Sequence, residues 1–365
     1  QDLQESLSLD KHPVALLIGA GCASSVRVKS GGGTCPLIAD IAGLTTEIKA
    51  SLSGEPAFDS LVSQFAQDGV TSYTIEDLLS RVRLLRRIVG NGDARGLKSA
   101  DLIQLEKRIC RCIVDAVWKS LPSNDTPYHD LADWIGGIPR GSPIQLFTTN
   151  YDLLLEQALE DRCLPYFDGF VGTRTPFFDL RAIEDDQIPA RWTRLWKLHG
   201  CASWRLEPDG KVTRNCQATT PGEGLLIHPS ELKYDQSRRM PYLAMIDRLR
   251  AFLRQPSAFL VTSGYAFADE HLNEVIIEGL RSNSSAAAFG LMFKNLEDEG
   301  GALALSKRIP SNLSLLARDR GVVRAINAEW LVGPSGATAP PATNNLGDFK
   351  AFAGFLKSFV RNNGV

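Results

Sequence analysis

Apolar runs that stop abruptly at polar or glycine residues set the layout of the chain. Val14-Ala15-Leu16-Leu17-Ile18 ends at Gly19-Ala20-Gly21. Pro143-Ile144-Gln145-Leu146-Phe147 ends at Thr148-Thr149-Asn150-Tyr151-Asp152, and Leu195-Trp196-Lys197-Leu198 ends at His199-Gly200. Ala258-Phe259-Leu260-Val261-Thr262 ends at Ser263-Gly264-Tyr265. Runs of this length, bounded by turn residues, predict strands buried on both faces, as in a parallel sheet covered by helices. Residues 165–167, 287–293 and 322–326 are expected to be further extended segments.

A helical period takes over in between. Ile38, Ile41 and Leu44 share one spacing, and Leu61, Val62 and Phe65 another. Ile75, Leu78, Leu79, Val82 and Leu85 continue it, as do Leu102, Leu105, Ile109, Ile113 and Val117. Thr74 is a candidate N-cap, with Asp77 at the third helical position. Residues 90–96 form a polar break. The block 43–135 therefore predicts an all-helical insertion, free of strands, in an α/β unit. That unit, residues 1–42 and 136–332, is expected to hold a Rossmann-like parallel sheet. Gly31-Gly32-Gly33-Thr34-Cys35-Pro36 reads as a flexible loop, either a lid over a ligand or a plain linker. Helices are expected at 153–159 and 242–253, and again after Asp269, a candidate cap. Residues 333–345 read as a linker. Leu346, Phe349, Phe352, Phe355, Leu356 and Phe359 then predict an amphipathic terminal helix over 346–365, packed on the parent domain or on another subunit.

The polar stops carry the candidate chemistry. Residues just beyond the carboxyl ends of strands in an open α/β sheet face the ligand crevice. Thr149, Asn150 and Asp152 would then point into it, although Asp152 equally fits a helix cap. Glycines at 19 and 21 permit a tight turn and a close approach of backbone N–H groups to a phosphate. The third glycine of a dinucleotide fingerprint is replaced by Ser24. His199 is either a satisfied core residue or a base, since imidazole is well suited to accept a proton at cellular pH. The turn at 263–265, leading into a helix, offers N–H groups to an anion. Glu76 and Asp77 are the acidic residues of the insertion placed to face the crevice, or simply lie on a solvated helix face. His228, before a proline, reads as structural.

Composition narrows the class. A net charge of −2 and 44% hydrophobic residues describe a soluble globular chain without a general affinity for nucleic acid. Arg81, Arg83, Arg86, Arg87, Arg108 and Arg111 could still form a local basic patch, or a solvated helix face. Seven cysteines without Cys-x-x-Cys spacing argue for a reducing compartment and against a zinc site. No signal peptide or membrane span is visible, so a cytoplasmic location is expected.

Gly19-Ala20-Gly21, Asn150-Tyr151-Asp152, Lys197-Leu198-His199-Gly200 and Gly264-Tyr265-x-Phe267-x-Asp269-x-His271 stand in an order and spacing that resemble the sirtuin (SIR2-like) family over about 260 residues. The strings are most similar to its bacterial anti-phage branch, which hydrolyses NAD+ in abortive infection and pairs with a hexameric HerA-type ATPase. The four-cysteine zinc ribbon of deacylating members is missing. So is a Pro-Asp-Phe-Arg string after the glycine loop, and acyl-lysine chemistry is not expected.

The resemblance implies a Rossmann-like fold, NAD+ as substrate and no metal. It implies Asn150, His199 and Asp152 as catalytic residues. Asn150 would position ribose hydroxyls or water, His199 would act as base, and Asp152 would hold the nicotinamide carboxamide. It implies NAD+ contacts from Gly19, Ala20, Gly21, Ser24, Thr149, Ser263, Gly264, Tyr265, Asp269 and His271. A homo-oligomer and control by a partner ATPase are also implied, with nucleic acid reached through the assembly. Two rival readings stay open: an NAD+ or ADP-ribose sensor without turnover, and a DNA-processing (nuclease) subunit of a motor complex.

Overall fold

A computed structural model describes residues 2–8, 10, 12–215, 225–227, 240–309, 312–330 and 343–362. Nine strands form the central sheet: β1 (Val14–Ile18), β2 (Gln145–Thr148), β3 (Tyr166–Phe167), β4 (Thr193–Lys197), β5 (Phe259–Ser263), β6 (Ala287–Leu291), β7 (Leu313–Leu316), β8 (Arg320–Val323) and β9 (Ile326–Glu329). Their order is β9-β8-β7-β6-β5-β1-β2-β4-β3. The seven strands from β7 to β3 are mutually parallel, and β8 and β9 extend the sheet as an antiparallel hairpin. The α/β class and the mostly parallel sheet agree with the apolar runs.

The alternation within each strand shows why those runs are apolar at every position. Val14, Leu16 and Ile18 enter one core while Ala15 and Leu17 enter the other. Leu146, Leu195 and Val261 join the first, and Phe147, Trp196 and Leu260 the second. A sheet covered on both faces has no place for a solvated polar row. The first face is covered by helices Ile41–Leu52, Pro56–Gln67, Ile75–Val89 and Ser99–Val117, together with Pro127–Gly137, Leu154–Asp161 and Phe349–Asn362. The second is covered by helices Tyr242–Leu253, Glu270–Ser282 and Gly300–Arg308 and by a smaller antiparallel sheet.

That smaller sheet is absent from the sequence reading. Its strands are Leu225–Ile227, Gly200–Leu206, Val212–Arg214, Phe177–Phe178 and Phe170–Val171, in that order. Most are two or three residues long, too short to show a period. Other corrections are local. Residues 31–36 are not a free loop: Gly31 and Gly32, at φ +51° and +86°, turn the hairpin Arg27–Ser30 and Gly33–Pro36. The break at 90–96 holds a small hairpin, Asp93–Ala94 and Leu97–Lys98, so the insertion is not strand-free. Residues 322–326 are not one strand: Val322 and Val323 end β8, residues 324–325 turn, and Ile326 begins β9. His228 and residues 333–342 of the expected linker lie outside the described residues.

The terminal helix docks on its own domain through Phe349, Phe352, Leu356 and Phe359, all buried. Phe349 meets the Tyr128 ring edge-on at 5.0 Å, and Lys357 bridges Asp130 and Asp133. Thr74 and Asp77 form the anticipated reciprocal cap: Asp77 N–H donates to Thr74 Oγ1 and Thr74 N–H to Asp77 Oδ2. Thr74→Ala is expected to cost about 1 kcal/mol; an unchanged denaturation midpoint would contradict this. Arg81, Arg83, Arg86, Arg108 and Arg111 are each paired with a carboxylate, which leaves that helical surface largely neutralised. Among the described residues, no helix is long and apolar enough to cross a membrane.

Candidate active site

The register of the sheet builds the site. Ser263, Ile18, Thr148 and Lys197 stand side by side as the last paired residues of β5, β1, β2 and β4. The next residues of each strand therefore leave the sheet at one level and on one edge. These are Gly264-Tyr265, Gly19-Ala20, Thr149-Asn150 and Leu198-His199. From β1 the chain runs to β2, β3 and β4 on one side, then crosses to β5 on the other. The crevice between β1 and β5 is thus the topological switch point, where open α/β sheets bind ligands.

Backbone contacts seal the base of this crevice. Gly19 N–H donates to Ser263 O at 2.9 Å, and Gly21 N–H to Gly264 O at 3.1 Å. A Cβ built on Gly19 would lie 2.3 Å from Gly264 O, and one on Gly264 2.5 Å from Cys22 N. Gly264 also has a φ of +63°, in the region that favours glycine. The glycines therefore serve a close approach of two chain segments first. With the N–H groups of Gly19 and Gly21 already donated, the exposed Ala20 between them is the residue available to a ligand. Ser24 turns its hydroxyl back onto Gly21 O at 2.8 Å. Cys22 packs against Ser263 beneath, and burial pushes its thiol up to about 12, an inert form.

Asn150 is 8% exposed. Its Nδ2 donates to Gly19 O at 3.2 Å, which ties the β2 exit to the β1 exit. Its Oδ1 is buried with no partner among the described residues. A buried carbonyl oxygen without a donor is costly, and a ligand hydroxyl or water would satisfy it. Thr149, half-buried, donates its N–H to Ile18 O. Asp152 accepts the Leu154 N–H on Oδ1 at 3.0 Å, so it does act on the start of helix Leu154–Asp161. Burial raises its carboxyl above the ordinary range, and Lys197 opposes that rise. Tyr151, between them, donates to Glu76 at 3.0 Å, which connects the insertion to this loop. Asp77 is occupied in the helix cap described above.

His199 is 9% exposed, and its Nε2 lies 2.9 Å from Asp269 Oδ2. Asp269 caps helix Glu270–Ser282, accepting the N–H groups of His271 and Leu272 on Oδ1. One carboxylate thus serves a helix start and an imidazole together. This orients the ring. Nδ1 has no hydrogen bond among the described residues. Tyr265, drawn from the same sequence string, is buried with its hydroxyl donating to Asn273 at 3.1 Å, a support for the turn. His271 is half-buried at the first turn of the capped helix.

The sequence reading named both His199 and Asp269 but not their pairing, which joins residues 70 apart. Lys197 stood in the quoted string without a role, and Glu156 was not singled out; the two are buried and 3.0 Å apart. The available signal was a lysine inside an apolar strand and a glutamate inside an apolar helix run. A cleft of about 630 Å³ exists elsewhere, at the amino ends of β5 and β6, lined by His12, Ser257, Phe259, Ser285, Phe289 and Arg324. It lies at the end of the sheet opposite the strand exits, and the switch-point crevice remains the better candidate.

Residues 145–306 match a family model described as a SIR2-like domain. The match includes Asn150, His199 and Asp269 and begins beyond Gly19-Ala20-Gly21. No curated protein matches the chain. Among solved structures, one titled "Structural Basis for the Mechanism and Regulation of Sir2 Enzymes" is similar at 9% identity and a TM-score of 0.41, covering 99% of this chain and 96% of that one. At that score the likeness adds nothing to what the strand order already says.

Proposed function

We propose that the chain is an NAD+ glycohydrolase that releases nicotinamide and ADP-ribose. The observation that carries this reading is the arrangement of His199, held by Asp269, at the exit of β4, next to the exit of β2 that bears Asn150 with its unpartnered carbonyl oxygen. The SIR2-like match over residues 145–306 supports NAD+ as the ligand.

Breaking the bond between the nicotinamide nitrogen and the ribose C1′ leaves an oxocarbenium-like centre, to which water adds. The bond's electron pair leaves with nicotinamide, and the attacking water loses a proton. In this reading His199 takes that proton, directly or through a ribose hydroxyl, and Asp269 steadies the charge gained. Asn150 Oδ1 accepts from the water or a ribose hydroxyl and fixes its approach. Ala20 and the 263–265 turn border the diphosphate and adenosine side. Asp152, already engaged with Leu154, would hold the nicotinamide carboxamide.

The biological setting rests on the sequence resemblance alone: bacterial anti-phage defence by NAD+ depletion, in a homo-oligomer restrained or triggered by a HerA-type ATPase. The test is chromatography of purified protein incubated with NAD+, with and without such an ATPase. Nicotinamide and ADP-ribose in equal amounts are expected. NAD+ binding with no product under either condition would favour a sensor instead.

A further inference from the structure

The loop that carries Asn150 is held by a buried cation that the reaction scheme does not use. Lys197, the last sheet residue of β4, is 2% exposed, and its ammonium lies 3.0 Å from Oε1 of Glu156, a residue 5% exposed. The same ammonium donates to the backbone carbonyl of Asp152. The preceding carbonyl, Tyr151 O, accepts from Ala202 N–H at 2.9 Å and from Cys201 Sγ at 3.6 Å. Leu198 N–H donates to Thr148 O at 2.8 Å. Residues on both sides of His199 thus grip consecutive carbonyls of the Asn150-Tyr151-Asp152 loop.

Burying two charges costs several kcal/mol per ion, and an apolar pair of similar size often serves stability as well or better. A buried lysine here therefore calls for a purpose that an apolar side chain cannot meet. Its reach to the Asp152 carbonyl is one, because only a donor can hold a carbonyl. Glu156 supplies the opposite charge from helix Leu154–Asp161, one turn beyond the loop, so strand, loop and helix are fixed by one ammonium. Resting on the glycohydrolase reading, we propose that Lys197, charge-balanced by Glu156, is a positioning residue. It locks the 150–152 loop so that Asn150 and His199 keep a fixed separation.

The experiment compares the full chain with Lys197→Met and with Lys197→Met/Glu156→Leu. The single variant strands a buried carboxylate and loses stability. The double variant removes both charges and is expected to recover most of the melting temperature. Yet the Asp152 carbonyl stays unheld. Amide exchange across residues 149–154 should then run about tenfold faster or more. In the same double variant kcat for NAD+ should fall about 10- to 100-fold with KM within about threefold. Lys197→Met/Glu156→Gln offers a second route if leucine is not accommodated.

Exchange at the wild-type rate in a stabilised double variant would overturn the proposal, as would recovery of kcat along with stability. Faster exchange together with a wild-type chain that never turns over NAD+ would instead leave the lock standing and remove the enzymatic reading.

Discussion

Replacing His199 with alanine removes nicotinamide release, by about 10²- to 10⁴-fold, while the chain stays folded. The range is that of a positioned acid–base group. The fold should survive because His199 lies beyond the last paired residue of β4 and contributes no sheet hydrogen bond of its own. Asp269 retains the N–H groups of His271 and Leu272 after the ring is gone, so its carboxylate is not abandoned in the interior. Asp269→Asn should lower turnover by a smaller factor, since an amide still caps the helix but stabilises an imidazolium poorly. Asn150→Ala should match the histidine variant in its effect on turnover. It also removes the link from Nδ2 to Gly19 O, so a slight fall in melting temperature accompanies it. Product chromatography alongside circular dichroism separates activity from folding. A folded His199→Ala chain that keeps wild-type turnover would end the assignment.

Gly19→Ala damages fold and site together. The new methyl would stand 2.3 Å from Gly264 O and 2.8 Å from the Tyr265 Cα, and both are backbone that cannot swing aside. The exits of β1 and β5 must part, which strains or breaks the Gly19-to-Ser263 and Gly21-to-Gly264 hydrogen bonds. Overpacking of this kind plus a lost buried hydrogen bond comes to about 3 kcal/mol. For a chain of this size that is a fall of about 4 °C in melting temperature. NAD+ binding, measured by titration calorimetry, should disappear as the crevice floor shifts. Gly21→Ala is the graded control: its methyl would meet the Gly264 Cα at 3.0 Å, a tight but smaller conflict. Wild-type melting and affinity in Gly19→Ala would show that the two turns are not held as closely as described.

Much of this architecture was legible along the chain, for a definite reason. A strand buried on both faces must be apolar throughout, so β1, β2, β4 and β5 announced themselves, and their polar stops marked one edge of the sheet. Caps are equally local: Thr74 with Asp77, and Asp269, satisfy N–H groups within three residues of themselves. The terminal helix showed its buried stripe of phenylalanines, though not which surface would receive it. Where elements were two or three residues long, as in the small sheet from 170 to 227, no period exists to be read.

What the amino-acid sequence determined by itself was the set of longer elements and the kinds of chemistry at their ends. It also carried the resemblance that points to NAD+. Tertiary structure decided which ends meet. Strand order and register at the site belong to pairings of β5, β1, β2 and β4 between segments about 50 to 245 residues apart, and nothing local encodes them. Only there do Asp269 and His199 become partners and Gly19 and Gly264 become mutual constraints. In the same way Lys197 and Glu156, two charges misplaced by their apolar surroundings, become one buried pair beneath the loop that bears Asn150.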